Sequence, residues 1–254
     1  MNSICDPLLI PGRLIIDPPG EGAWNMALDE ALLESAQNDG IASLRFYSWS
    51  EPTLSLGYFQ PHAERRLHAA SAHCTLVRRA SGGGAILHDR ELTYSIALPS
   101  CHPLAVRTEK LYRAVHLSLI ETLAELGAGA TLFGDAGRSA SKPFLCFQRR
   151  EMGDVVAGEF KIAGSAQRRQ RGAVLQHGSV LLGQSAFAPE LPGIAELFTG
   201  EVNIELLRTR WAPRLTSCLE LDISSATTTT DSVLNAASEI ARQKFGDLAW
   251  TERR

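Results

Sequence analysis

Apolar residues recur along this chain with two periods, and switches between them mark out its elements. From Gly22 to Gln37, Trp24, Leu28, Ala31, Leu32 and Ser35 share one face and Asp29, Glu30 and Glu34 the other, which predicts a helix. Ser43 to Trp49 sets Leu44, Phe46 and Tyr47 among polar residues and predicts a strand. A second strand, Thr53 to Gly57, follows the turn at Glu51-Pro52. Pro61 to His73 reads as a short helix and Thr75 to Arg79 as a third strand. Two short apolar runs, Ala85 to Leu87 and Leu92 to Leu98, come next. Thr108 suits the N-cap of a helix whose face is Leu111, Val115, Leu119, Leu123 and Leu126, and Gly127 stops it.

Thr131 to Gln148 is irregular and rich in Gly, Ser and Ala. Asp154 to Leu182 reads as consecutive strands: Val155-Val156, Phe160 to Ile162, Ala173 to Leu175 and Ser179 to Leu182. Glu190 to Phe198 and Ile204 to Trp211 predict short helices, and Ser224 to Thr230 a surface loop. Asp231 to Phe245 predicts a last helix with Val233, Leu234, Ala237, Ile240 and Ala241 facing inward. The strands come in groups with few helices of crossover length. That pattern predicts an α+β fold, a mostly antiparallel or mixed central sheet flanked by helices. Without repeats or composition breaks, residues 1–254 read as one unit, with a short extension from about residue 190.

Composition narrows the function. A chain of 254 residues can bury close to three quarters of its extended surface, enough for a core of its own. Its net charge of −3 weighs against general nucleic-acid binding, which needs a basic surface. Only four of its 25 cations are lysines: Lys110, Lys142, Lys161 and Lys244. Lysine can shift its pKa and do chemistry where arginine cannot, so each lysine in a polar motif stands out. The five cysteines (Cys5, Cys74, Cys101, Cys146, Cys218) are odd in number and form no C-x-x-C pair, which argues against a disulfide framework or zinc ribbon. No basic segment followed by an apolar core opens the chain, and no apolar run nears the ~20 residues of a membrane helix. The expectation is a soluble protein of the reducing cytoplasm, without membrane or nucleic-acid partners.

Several motifs are missing: the phosphate-binding P-loop, a G-x-G-x-x-G after a strand, H-E-x-x-H and the G-x-S-x-G elbow. The seven histidines form no H-x-x-x-H pair, so no metal site is expected.

Four segments carry candidate chemistry. Arg78-Arg79-Ala80-Ser81-Gly82-Gly83-Gly84-Ala85 precedes His88-Asp89. Three consecutive glycines are entropically costly, and suit either a ligand-cradling loop with bare backbone or an unusual hairpin turn. Gly158-Glu159-Phe160-Lys161-Ile162-Ala163-Gly164-Ser165-Ala166-Gln167 sets a lysine in an apolar strand and follows it with small residues. This suits either a ligand-facing lysine or a hairpin with a surface one. Gln176-His177-Gly178-Ser179 opens an apolar run, and its histidine is either a structural hydrogen-bonder or a catalyst. In Phe144-Leu145-Cys146-Phe147 the thiol is either buried and inert or a nucleophile activated by a nearby cation.

Together these segments resemble the lipoate–protein ligase and octanoyltransferase family, which shares its fold with the biotin protein ligases. Asn25-Met26-Ala27-Leu28-Asp29-Glu30 and Glu51-Pro52-Thr53-Leu54-Ser55-Leu56-Gly57-Tyr58-Phe59-Gln60 add to the resemblance, which spans roughly Leu14 to Leu182. It implies attachment of an octanoyl or lipoyl group to a lysine of a lipoyl carrier domain. Ligases of the family use ATP. The octanoyltransferases take the acyl group from octanoyl-acyl-carrier protein through a cysteine, and the resemblance is nearest to their branch with Cys-Phe upstream of K-[IV]-A-G-S-A-Q, matched by Cys146-Phe147 and Lys161. The better-known branch places its cysteine after the lysine, where this chain has only Cys218, outside any motif. About 70 residues after Leu182 are few for the accessory domain of many ligases.

The resemblance thus implies Cys146 as acyl-carrying nucleophile and Lys161 as its catalytic partner, with backbone N–H groups near Gly164 and Ser165 holding the oxyanion. Arg79, Ser81, Gly82, Gly83, Gly84, His88, Gly164, Ser165, Ala166, Gln167, His177 and Gly178 would bind substrate. The implied partners are octanoyl-acyl-carrier protein and lipoyl carrier domains, either glycine cleavage H protein or 2-oxoacid dehydrogenase E2 subunits. No cofactor is expected, with ATP and magnesium only under the alternative of an ATP-dependent lipoate ligase subunit. Octanoyl transfer between two carrier domains is a further alternative.

Overall fold

A computed structural model describes residues 9–134, 143–223 and 229–254. Its main sheet has eight strands: β1 (Ile10–Ile16), β2 (Ala42–Tyr47), β6 (Glu91–Leu98), β7 (Thr131–Leu132), β8 (Val155–Ala157), β9 (Phe160–Gln170), β10 (Ala173–Leu181) and β11 (Leu221–Asp222). They lie side by side in the order β11-β1-β2-β6-β10-β9-β8-β7. A second sheet places β3 (Thr53–Leu56) between β4 (Thr75–Arg78) and β5 (Ile86–His88). β1 is parallel to β2 and β11, and β3 to β4; the remaining pairs are antiparallel. The mixed sheet flanked by helices is the one expected.

Every residue of β6 and β10 is buried, because helices cover both faces of the sheet. On one side α2 (Thr108–Glu125) and α4 (Ile204–Cys218) set Leu111, Val115, Leu119, Leu207 and Trp211 against Leu44, Phe46, Tyr94, Ile96 and Val174. On the other, α1 (Gly22–Asp39) and α5 (Asp231–Ile240) set Leu28, Leu32, Val233 and Ala237 against Ile15, Ala97, Ala173 and Leu175. Each leucine so buried contributes about 1.5–3 kcal/mol. Strand alternation then aims Arg45, Tyr47, Ser95 and His177 at α1, where all four bond the buried carboxylate of Asp29. Three short helices, α3 (Ile194–Leu197), α6 (Leu248–Thr251) and a π-helical turn (Ala241–Phe245) continuing α5, complete the chain.

Several expectations are corrected. The small residues Gly164 to Ala166 lie within β9, not after a strand. The two predicted strands at Ala173–Leu175 and Ser179–Leu182 are one, β10, paired with β9 through the turn Arg171-Gly172, both at positive φ. Pro61 to His73 forms two short 3₁₀ segments rather than one helix, and Pro192 limits the predicted Glu190–Phe198 helix to α3. α4 continues past Pro213 because Leu215 joins Trp211 in the core. Of the predicted Ser224–Thr230 loop, residues 224–228 lie outside the described residues. No helix among the described residues is long and apolar enough to cross a membrane.

Candidate active site

Arg79, at the end of β4, organises the glycine loop. Its buried guanidinium donates to the carbonyls of Ser55 (2.9 Å), Gly82 (3.0 Å) and Gly84 (2.6 Å). The carbonyl of Gly83 sits where a Cβ on Gly57 would stand, 2.0 Å away, so the loop lies flat on the end of β3. Its exit is zipped to the cysteine segment: Ala85 N donates to Phe144 O (3.1 Å) and Cys146 N to Ala85 O (2.7 Å). A Cβ on Gly84 would meet Phe144 O at 3.2 Å and Cys146 Cα at 3.4 Å. Bare backbone is what lets Cys146 approach the loop.

Cys146 begins a 3₁₀ turn, Cys146–Gln148, with its Sγ 3.7 Å from Lys161 Nζ on β9. Lys161 is itself paired with Asp154 at 2.7 Å. Asp154 also accepts hydrogen bonds from Tyr112 Oη (2.8 Å) and Glu151 N (2.7 Å), which hold its carboxylate in place. Burial pushes the Cys146 thiol up, but Lys161, Arg79 and Arg149 outweigh burial and bring it below the ordinary cysteine value. Burial, with Arg149 nearby, brings the Arg79 guanidinium down to about 10.

A pocket opens at Cys146 and Lys161. Its wall crosses four neighbouring strands, from Lys161 on β9 through His177 on β10 and Thr93 on β6 to Tyr47 on β2. At about 4.8 Å per strand that is roughly 14 Å. Met26, Ile86, Phe147 and Ala166 supply apolar lining, and Gly82, Gly83, Gly164 and Gly178 bare backbone.

The two predicted histidines line the pocket with their ring nitrogens engaged. His177 bonds Ser81 Oγ (2.5 Å) and Asp29 (3.1 Å). Burial pushes the Asp29 carboxyl up, but hydrogen bonding from His177 and the charge of Arg45 bring it below its usual range. His88 bonds Ser55 Oγ and Glu91, each at 2.7 Å, and stacks on Trp49. Burial outweighs Glu91 and lowers the His88 pKa.

Three expectations shift. Gln167 does not line the pocket: alternation turns it to the opposite face of β9, where it donates to Thr108 O (2.8 Å) and Gln176 Oε1 (2.7 Å). Ser165 borders the pocket, but its hydroxyl is bonded to His116 (2.6 Å) and Tyr94. Its N–H points at Tyr112 Oη (3.4 Å). Gly164 makes room for the lysine, since a Cβ there would lie 2.5 Å from Lys161 Cε. Asp154 and Arg149 belong to the site and escaped the sequence reading. Asp154 stood only as the start of the strand-rich stretch to Leu182, and no motif pointed to Arg149. No group of three or more His, Cys, Asp or Glu among the described residues is placed to hold a metal ion.

A sequence profile of the lipoyl protein ligase A/B catalytic domain matches residues 21–188. The chain is 30% identical over 274 aligned positions to octanoyltransferase LipM of Brevibacillus brevis, covering 95% of this chain and 99% of that one. With octanoyltransferase LipM of Geobacillus kaustophilus it shares 42% identity over 170 positions, 63% of this chain but only 61% of the relative. In fold it is similar to lipoate-protein ligase A bound with ATP (24% identity, TM-score 0.77, 96% of this chain and 99% of that one). It is similar too to a bi-partite lipoate protein ligase from Thermoplasma acidophilum (23%, TM-score 0.73, 96% of each). With the profile covering most of the chain, from α1 through the glycine loop and Cys146 to the end of β10, the protein belongs to the lipoyl protein ligase A/B catalytic-domain family.

Proposed function

We propose that this protein is an octanoyltransferase of lipoate biosynthesis. It moves the acyl group from octanoyl-acyl-carrier protein, through a thioester on Cys146, to a lysine of a lipoyl carrier domain. The observation that carries the reading is the thiol of Cys146 standing 3.7 Å from an ammonium that Asp154 holds in place. The octanoyltransferase relatives support the choice of acyl group.

The chemistry follows from the residues. Cys146 thiolate adds to the thioester carbonyl, and collapse of the tetrahedral intermediate expels the donor thiolate, which takes a proton. One thioester replaces another, so the step is nearly thermoneutral. The amine of the carrier lysine then attacks the Cys146 thioester and loses a proton; the C–Sγ bond breaks, Cys146 leaves as thiolate, and the amide formed makes transfer downhill. Lys161 stabilises both the thiolate and the negative oxygen of each intermediate. The acyl chain lies across the strands from Cys146 towards Tyr47, and each methylene it buries contributes about 0.8 kcal/mol. The glycine loop lets chain and incoming lysine approach the backbone. The reaction uses neither ATP nor metal, and its free thiol suits the reducing cytoplasm. Glycine cleavage H protein and E2 lipoyl domains are the acceptors to test first.

Incubation with octanoyl-acyl-carrier protein followed by intact-mass measurement tests the reading. An octanoyl adduct is expected on the unsubstituted protein and absent from Cys146→Ala. An adduct surviving that substitution, or octanoylation of a carrier domain only from free octanoate and ATP, overturns it.

A further inference from the structure

The turn that begins at Cys146 ends at Arg149, whose N–H donates to Cys146 O at 3.2 Å. The Arg149 guanidinium lies at the same glycine, Gly84, as Cys146. A Cβ on Gly84 would touch Arg149 Nη2 and Cys146 Cα alike, each at 3.4 Å, so both residues pack against the bare α-carbon of Gly84. Arg79 at the same loop spends both terminal nitrogens on carbonyls and a hydroxyl. Arg149 spends none: among the described residues its Nε is buried without a partner, and its only carboxylate neighbour is the exposed Glu151 at 3.9 Å, beyond hydrogen-bond reach. A half-buried guanidinium with open donors, beside a nucleophile and on the side of the glycine loop, is placed to receive an anion.

We propose that Arg149 is a catalytic residue that donates to the oxyanion formed when Cys146 attacks its thioester substrate. The inference rests on the acyl-transfer reading given above. As the Sγ–C bond forms, the carbonyl π pair moves onto oxygen, and Arg149 hydrogen-bonds that oxygen from the side of Gly84. As the intermediate collapses, the pair returns and the donor thiolate leaves. The same oxygen reappears when the carrier lysine attacks. The arrangement also assigns the unused donors of Arg149 a ligand that exists only during reaction, in agreement with its cation helping to hold the Cys146 thiol low.

The test compares Arg149→Gln and Arg149→Lys with the unsubstituted protein. Single-turnover acylation of Cys146 is measured with octanoyl-acyl-carrier protein and with octanoyl-pantetheine, and alkylation of Cys146 by iodoacetamide alongside, from about pH 6 to about pH 10. Rates are compared on the high-pH plateau, where the thiol is ionised in all three proteins. Loss of one oxyanion donor lowers acylation about 100-fold with both donors. Alkylation, which forms no oxyanion, changes less than about threefold, and Arg149→Lys recovers part of the acylation rate. Parallel loss of acylation and alkylation, loss confined to the protein donor, or no loss overturns the proposal. No Cys146 adduct in the unsubstituted protein overturns the transferase reading itself, and the Arg149 role with it.

Discussion

Lys161 and Asp154 form an ion pair shut away from water, 2.7 Å between Nζ and Oδ2, with side chains only 3% and 1% exposed. Burying two charges is expensive, and the pair offsets that expense only while both partners are present. It positions the ammonium against Cys146.

Asp154→Asn leaves the Lys161 ammonium buried without its anion. The expected loss of stability is about 3–5 kcal/mol, read from urea unfolding, and octanoyl transfer falls with it. Unchanged stability would mean that Lys161 turns to solvent without cost.

Three cations hold the Cys146 thiol below its ordinary value against the opposing effect of burial. Iodoacetamide reacts with thiolate, so alkylation of Cys146 should rise with pH and level off with an inflection below the ~8.5 of a free cysteine. Lys161→Gln removes one cation and leaves Asp154 uncompensated nearby, and both changes move the inflection up. The thiol also links pH to stability. As an acid held low in the fold, it contributes fully above its unfolded value, and the contribution is lost as pH falls through the folded value.

Gly164→Ala places a methyl 2.5 Å from Lys161 Cε and 2.8 Å from its Nζ. Both atoms are at the free end of a flexible side chain, so the lysine moves and the fold survives, with a stability cost of about 1–3 kcal/mol. The displaced ammonium leaves Cys146. Single-turnover acylation should fall at least tenfold while circular dichroism is unchanged.

His116, buried beneath β9 with bonds to Gly153 O and Ser165 Oγ, has its pKa lowered to about 4, chiefly by burial. An unfolded histidine takes its proton near 6.5, so between about pH 6.5 and about pH 4 only the unfolded state gains it. Acidification therefore destabilises the fold by a margin approaching 3 kcal/mol at about pH 4 and constant below it. His116→Gln removes this part of the acid sensitivity. Urea unfolding of both proteins at neutral and acid pH should show the unsubstituted protein losing more.

Local pattern sufficed where a segment carries its own period or its own cap. The leucine and valine spacing of α2, bounded by Thr108 and Gly127, places that helix to within a residue. The apolar run of β6 is equally plain, although burial on both faces hides which side chains point at α1. β1 went unread because Pro11 and Gly12 break its pattern; pairing with β2 and β11 makes it a strand. Cys146 and Lys161 stood out through motif order and the scarcity of lysine. Asp154, Arg149 and the true direction of Gln167 did not, because each depends on which neighbour a residue meets.

By itself the sequence determined the helices and strands with strong periodicity, the mixed α+β class, and the cysteine and lysine worth pursuing. Those properties follow from nearest neighbours along the chain, from side-chain spacing and from the few residue types able to do the chemistry. Only the tertiary structure decided that Lys161 faces both Asp154 and Cys146, that Asp29 gathers Arg45, Tyr47, Ser95 and His177, and that Arg149 and Cys146 meet at Gly84. These are contacts between residues distant in sequence or brought together by a turn. They depend on strand register, burial and the close approach of backbones, none of which a one-dimensional pattern contains.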